Sequence, residues 1–215
     1  VTNLRPFAPF AAALALGLGA CAQPAAEGTA ADQASSVTEG AWTLDPVTSR
    51  LSYVSIKAGE IAESNGFEKL SGSVAADGTA SIEIDLASVA TGVDIRNERM
   101  RDIFFQVADN PTAVVAAKLD PAAFAGLAVG QSLTRPLKAT LTIKGVEQEI
   151  ETEVLVTRAA ETRVTVVPTA PVIITTDMFD LTDELGELRA LAQLPSITPA
   201  VPVTFTLAFT RTQQQ

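Results

Sequence analysis

PLKATLTIKGVEQEIETEVLVT, Pro136–Thr157, is the stretch on which the fold turns. Leu137, Ala139, Leu141 and Ile143 fall on one phase of it, with Lys138, Thr140, Thr142 and Lys144 on the other. Strict alternation of this kind marks a strand with one apolar face. Gly145 interrupts it, after which Ile150, Thr152, Val154 and Val156 alternate with Glu149, Glu151 and Glu153. The reading is an antiparallel hairpin that turns near Gly145. Lysines opposite glutamates on its outer face would add weak cross-strand pairs.

The same rhythm extends in both directions. In SGSVAADGTASIEIDLAS, Ser71–Ser88, the residues Ala80, Ile82, Ile84 and Leu86 alternate with Ser81, Glu83 and Asp85. Asp77-Gly78 marks the turn before them, because Asp-Gly suits a hairpin turn with both central residues at positive φ. Near the end, Val203, Phe205, Leu207 and Phe209 alternate with Thr204, Thr206, Ala208 and Thr210. Further strands are expected at Thr48–Lys57, Phe67–Leu70, Thr112–Leu119, Arg163–Val167 and Val172–Thr176. Eight or more antiparallel strands with polar outer faces need one shared apolar interior. A closed barrel or a sandwich supplies it, and a barrel also removes exposed edges.

Two segments break the alternation. Ile95–Val107 reads as a helix with Ile95, Met100, Ile103, Phe104 and Val107 near one stripe, stopped by Asn110-Pro111. Thr182–Ser196 reads as a second helix, opened by a Thr or Asp cap and an acidic first turn, carrying Leu185, Leu188, Leu191 and Ala192, and ended by Pro195. Met100 and the Phe104–Phe105 pair are residues more often found in a core than at a ligand contact.

Composition removes several classes of function. The chain has 215 residues, a net charge of −10, one cysteine and no histidine. Without histidine, Ser-His-Asp and Cys-His catalysis are excluded and zinc loses its usual ligands, so no metal or catalytic residue is assigned. The acidity argues against nucleic acid, whose phosphates reward basic surfaces.

The lone cysteine follows an uncharged run, FAPFAAALALGLGA, Phe7–Ala20, that is too short to span a bilayer and ends in small residues. One basic residue, Arg5, precedes it, which completes the pattern of a secretory leader over residues 1–20. Leu18-Gly19-Ala20-Cys21 resembles the lipobox of bacterial lipoproteins, which makes Cys21 the expected site of acylation. Residues 21–40 are rich in Ala, Ser, Thr, Gly and acid, with no aromatic residue and no periodic apolar face, and are expected to form a flexible tether. The barrel domain is then expected over 41–211, with a short tail at 212–215. No Asp directly follows Cys21, which by resemblance to enterobacterial sorting rules points to the periplasmic side of the cell envelope and to the outer membrane over the inner.

The order of elements resembles the YceI family. The resemblance is carried by Trp42-Thr43-Leu44-Asp45-Pro46, Thr91-Gly92, Arg101-Asp102, Phe104-Phe105-Gln106-Val107, Leu141-Thr142-Ile143-Lys144-Gly145-Val146 and Asp177-Met178-Phe179-Asp180-Leu181. It implies an all-β fold, an antiparallel eight-stranded lipocalin-like barrel with one or two short helices. It also implies an apolar lumen that takes a long amphiphilic lipid, a polyisoprenoid or isoprenoid quinone, with no other cofactor. Many members carry His where this chain has Thr48 and Lys144, so no role for imidazole carries over. The lumen candidates, taken from the apolar phases and the two interruptions, are Tyr53, Ile82, Ile84, Leu86, Met100, Phe104, Leu141, Ile143, Val154, Ile174, Phe179, Phe205 and Leu207. A bore of eight strands is wide enough either to be filled by side chains or to hold one small ligand.

Three functions compete at this stage. The first is a lipid carrier anchored at a membrane through Cys21, for which a homodimer is an allowed arrangement. The second is a ligand-free envelope interaction module that uses the acidic exterior. The third is a lipid-modifying enzyme with Arg99, Asp102 or Tyr53 at the barrel mouth, disfavoured by the missing nucleophile-base pattern.

Overall fold

The computed structural model describes residues 36–212. Residues 1–20, Cys21, most of the expected tether and residues 213–215 lie outside them. Among the described residues, twelve strands form one sheet: β1 (Trp42–Leu44), β2 (Arg50–Lys57), β3 (Ile61–Phe67), β4 (Leu70–Val74), β5 (Thr79–Asp85), β6 (Val89–Ala90), β7 (Thr112–Lys118), β8 (Ser132–Ile143), β9 (Val146–Ala160), β10 (Arg163–Pro168), β11 (Val172–Thr175) and β12 (Ala200–Arg211). The neighbours run β1-β4-β5-β7-β8-β9-β10-β12, and β12 pairs back onto β1. The structure is therefore a closed eight-stranded antiparallel barrel with two short helices, as expected.

Several of the strands are halves of a bent whole. β2 pairs with β12 at Tyr53↔Val203, beyond the β1 pairing at Leu44↔Phe209. β3 continues into β4, β5 into β6, and β10 into β11, so the barrel is a meander of eight long strands, four of them kinked. Phe67–Leu70, expected as a strand of its own, is instead the junction between β3 and β4. The strand Ile61–Phe67 was not expected at all. It pairs with β2 from Leu51↔Phe67 to Lys57↔Ile61 through a three-residue turn, Ala58-Gly59-Glu60, in which Ala58 (φ +52°) and Gly59 (φ +78°) are both left-handed.

The β8–β9 hairpin has the expected register, with Lys138 opposite Glu151 and an ion pair between them. Its turn is Lys144-Gly145, at φ +49° and +78°. That is the turn with two positive-φ residues that Asp77-Gly78 was expected to make. At Asp77-Gly78 only Gly78 is left-handed (φ +83°), Gly78 N–H donates to Ala75 O at 2.9 Å and Ala75 N–H to Thr79 O at 2.8 Å. This is the longer hairpin loop whose last residue forms a glycine bulge.

Helix α1 (Asp94–Arg99) continues into a wide i→i+5 turn over Met100–Phe105, where the Gln106 N–H reaches Arg101 O. A wide turn adds a residue and shifts the helical phase. Phe104 and Phe105 are consequently both buried, although the regular period placed only Phe104 on the inner stripe. The outer end of that stripe, Ile95, is half exposed. Helix α2 (Thr182–Leu191) begins at Leu181 with no side-chain cap, not at a Thr or Asp cap, and ends at Leu191. Leu185 and Leu188 pack against the core from it.

One boundary moves. Val37, in the expected tether, is buried at 8% exposure, and its carbonyl accepts the Trp42 indole N–H at 3.0 Å. The segment from Ser36 to Gly40 thus belongs with the barrel.

Candidate functional site

Strand alternation sends one side-chain set of every strand into the bore. The bore is not filled. It holds a cavity of about 660 Å³ at the end covered by α1 and α2, and a second of about 230 Å³ at the other end. Leu51 and Ile84 line both, forming a waist between the two chambers.

Tyr53, Ile84, Leu86, Met100, Phe104, Leu141, Ile143, Ile174 and Phe179 line the larger chamber. Ile82, Val154, Phe205 and Leu207 line the smaller one, together with Ile84. The expected set is therefore divided between two chambers. Of the residues weighed for catalysis, Tyr53 and Arg99 line the larger chamber, and Asp102 is exposed and outside it.

Strand β2 shows how the larger chamber is graded. Its inward residues are Leu51, Tyr53, Ser55 and Lys57, apolar at the waist and charged at the far end. At about 3.3 Å of rise per residue, those six steps span about 20 Å. The facing strand β3 repeats the gradient, with Phe67 opposite Leu51, Asn65 opposite Tyr53 and Glu63 opposite Ser55. Tyr53, Phe67, Phe105 and Phe104 form a chain of ring contacts with centroids 5.0–5.9 Å apart along the wall.

Polar groups gather at the α1 end. Asn65, 6% exposed, donates from Nδ2 to Ser55 Oγ at 3.0 Å and to Glu63 O at 3.1 Å, and its Oδ1 has no partner among the described residues. Glu63 accepts from Lys57 Nζ at 2.5 Å and is also paired with Arg96. The Lys57 hydrogen bond, with the Arg96 charge beside it, holds the Glu63 carboxyl below its ordinary range against partial burial. Arg96 also donates from Nη2 to Thr91 O at 2.6 Å. Burial pushes the Tyr53 hydroxyl up to about 12, so it is a neutral phenol at any physiological pH. The rim carries apolar residues left in water: Val93, Ile95 and Leu191 are 44%, 51% and 46% exposed.

Polar residue types are expected to face outward, so Asn65, Arg96 and the β3 wall carried no signal as lining groups, and Lys57 reads as outward by its charge although it lies on the inward phase of β2. Leu51 did carry one, because it shares the phase of Tyr53 on β2.

The model of the YceI-like domain matches residues 42–209. The chain belongs to the YceI family. A solved structure, described as a polyisoprenoid binding domain from Saccharophagus degradans implicated in plant cell wall breakdown, is 39% identical with a TM-score of 0.78. The match covers 80% of this chain and 98% of that one. BcnA of Burkholderia cenocepacia, 22% identical with a TM-score of 0.60 over 77% of this chain and 98% of its own, shares the fold. No curated protein sequence matches the chain.

Proposed function

We propose that the chain binds a long amphiphilic lipid, a polyisoprenoid or isoprenoid quinone, with its tail in the barrel lumen and its head at the α1 end. The observation that carries this reading is the graded larger chamber, apolar at the waist and polar at the mouth, inside a closed barrel. A tail laid along Leu51, Phe67, Leu141 and Ile143 would gain about 25 cal/mol for each Å² of apolar area removed from water. The exposed rim residues Val93, Ile95 and Leu191 would give an apolar tail a path out of a membrane or from another carrier. The relative from Saccharophagus degradans, described as a polyisoprenoid binding domain, supports the same ligand class.

On this reading the protein is a binding module and not an enzyme. The tether would hold it at the periplasmic side of the envelope, with acylated Cys21 in the membrane, the outer membrane in preference to the inner. Stable attachment needs more than one acyl chain, which a lipidated N-terminal cysteine provides.

The test is an organic extract of protein purified from membranes, analysed by mass spectrometry beside the intact mass. A long-chain lipid in stoichiometric amount, and a mature chain starting at acylated Cys21, are the expected results. An extract without lipid would overturn carriage. A Cys21→Ser chain that still fractionates with membranes would overturn the anchor.

A further inference from the structure

We propose that the larger chamber selects amphiphiles whose head group carries negative charge, and that Arg99 reads that charge. This rests on the lipid-binding reading above and adds the class of head group to it.

The chain has 25 acidic residues against 15 basic ones, yet the charged side chains lining this chamber are Lys57, Arg96 and Arg99, all cations. Lys57 and Arg96 share one counter-charge, Glu63. Arg99 has no ion pair and no hydrogen bond among the described residues, although it is only partly exposed. Arg96 and Arg99 stand three residues apart on α1, so they occupy one face of it. After Glu63 offsets one charge, the lining keeps an excess of positive charge beside an apolar bore.

A half-buried guanidinium without a partner loses hydration and recovers nothing in return. Arg96 adds a buried Nε donor with no acceptor among the described residues. A carboxylate or a phosphate would satisfy both deficits, because a guanidinium fork binds such oxygens bidentately and with charge assistance. A neutral alcohol or quinone head can accept a hydrogen bond from the same donors but leaves the excess charge in place. The low-dielectric wall of the bore concentrates the field of these cations at the head position, against the acidic exterior.

The test uses the full chain carrying Cys21→Ser, which removes the expected acylation site, and the neutral dye Nile red as the displaced probe. Two matched pairs of competitors are compared: palmitate with hexadecanol, and farnesyl phosphate with farnesol. At least one anion is expected to displace the dye at about tenfold lower concentration than its alcohol, equal to about 1.4 kcal/mol. The pair that shows the larger ratio tells carboxylate from phosphate recognition. In Arg99→Gln the ratio should collapse to within about twofold, while Lys69→Gln, which removes the same charge from an exposed site outside the chamber, should keep it. Equal displacement by anion and alcohol in both pairs would overturn the head-group inference and leave lipid binding standing. A ratio that persists in Arg99→Gln would overturn the role of Arg99. A protein that takes up neither dye nor any competitor would overturn the binding reading and this inference with it.

Discussion

Lys144 Nζ lies 2.6 Å from Glu184 Oε1, and this contact ties the β8–β9 turn to helix α2. Both side chains are largely buried, at 15% and 17% exposure. Burial pushes the Glu184 carboxyl up, but the Lys144 hydrogen bond and charge together with a backbone N–H outweigh it, so the group stays ionised below its ordinary range. Lys144 itself sits in the turn in a left-handed conformation, at φ +49°. Replacing Lys144 by Ala would leave a buried carboxylate unpaired, at a cost of about 2 kcal/mol. The expected result is a lower denaturant midpoint with faster amide exchange concentrated in Thr182–Leu191. Unchanged exchange in α2 would show that the contact does not hold the helix.

Two turn glycines should respond unequally to a methyl group. Gly78 and Gly145 both have positive φ, at +83° and +78°. A Cβ on Gly78 would stand 2.1 Å from Leu119 O, whereas one on Gly145 meets nothing within 4 Å. Gly145→Ala therefore carries only left-handed backbone strain, about 1–2 kcal/mol. Gly78→Ala adds a collision with a backbone carbonyl, in a segment held close by the Leu119 N–H donating to Gly78 O at 2.8 Å. Its cost should exceed that of Gly145→Ala by at least about 1 kcal/mol. Chemical denaturation of the two variants checks the order, and equal losses would contradict it.

The strands that were legible in the sequence are those with water on one side and the lumen on the other. Ile82 and Ile84 against Glu83, and Val154 and Val156 against Glu153, obey the period because each face has one environment. Strand β3 escaped because its environment is mixed: Asn65 is buried against the polar end of the chamber while Ile61 is exposed, so regular alternation gives way to IAESNGF. Its turn was hidden too, since Ala58 is an unusual residue for a left-handed position. The burial of Phe105 depended on a wide helical turn that no residue pattern announces. The apolar half of the candidate site was thus readable, and the polar half was not. Arg96, Arg99 and Lys57 belong to residue types that normally face solvent, yet Lys57 lines the chamber on the inward phase of β2, and Arg96 and Arg99 line it from α1.

The waist and the wide chamber should separate packing from binding. Leu141 is only partly buried and borders the 660 Å³ chamber, so Leu141→Trp has room to enter it. The expected outcome is loss of most bound lipid with a stability change below about 1 kcal/mol. Ile84 is 6% exposed at the waist, where side chains from both chambers converge. Ile84→Trp should overpack it and cost about 1–3 kcal/mol. Lipid per protein and unfolding free energy, measured together on each variant, check the pair. Strong destabilisation by Leu141→Trp would mean that the chamber closes up around its own side chains in solution.

Stability should fall on the acid side. The Lys118 hydrogen bond, followed by the Thr79 backbone N–H and hydroxyl, holds Asp77 down at about 2, from 3.8 for the free group. Glu63 and Glu151 are likewise held below 4.5, first by hydrogen bonds from Lys57 and Lys138. A folded-state pKa below the unfolded one contributes stability that is present above the unfolded value and lost as pH falls through the folded one. The urea midpoint should therefore be level near neutral pH, begin to drop around pH 4.5 and continue down to about 2. Asp77→Asn should flatten the lowest part of that slope. A midpoint independent of pH across this window would show that these pairs do not persist in solution.

The segment Ser36–Gly40 should behave as part of the barrel. Val37, Thr38 and Gly40 line the smaller chamber, and Trp42 donates to Val37 O at 3.0 Å. Arg211, at the end of β12, donates from Nη2 to Ser36 O at 2.6 Å and lies 5.0 Å over the Trp42 ring. The last strand, the first strand and this segment are thereby joined at one end of the lumen. Val37→Ala removes buried apolar volume there and should cost about 1–2 kcal/mol. Chains beginning at Ser36 and at Ala41 provide the second measurement. The shorter one loses Val37, the acceptor of the Trp42 indole and the acceptor of Arg211, and should unfold at a clearly lower denaturant concentration. Equal midpoints would return these five residues to the tether, and with them the view that the smaller chamber is open at that end.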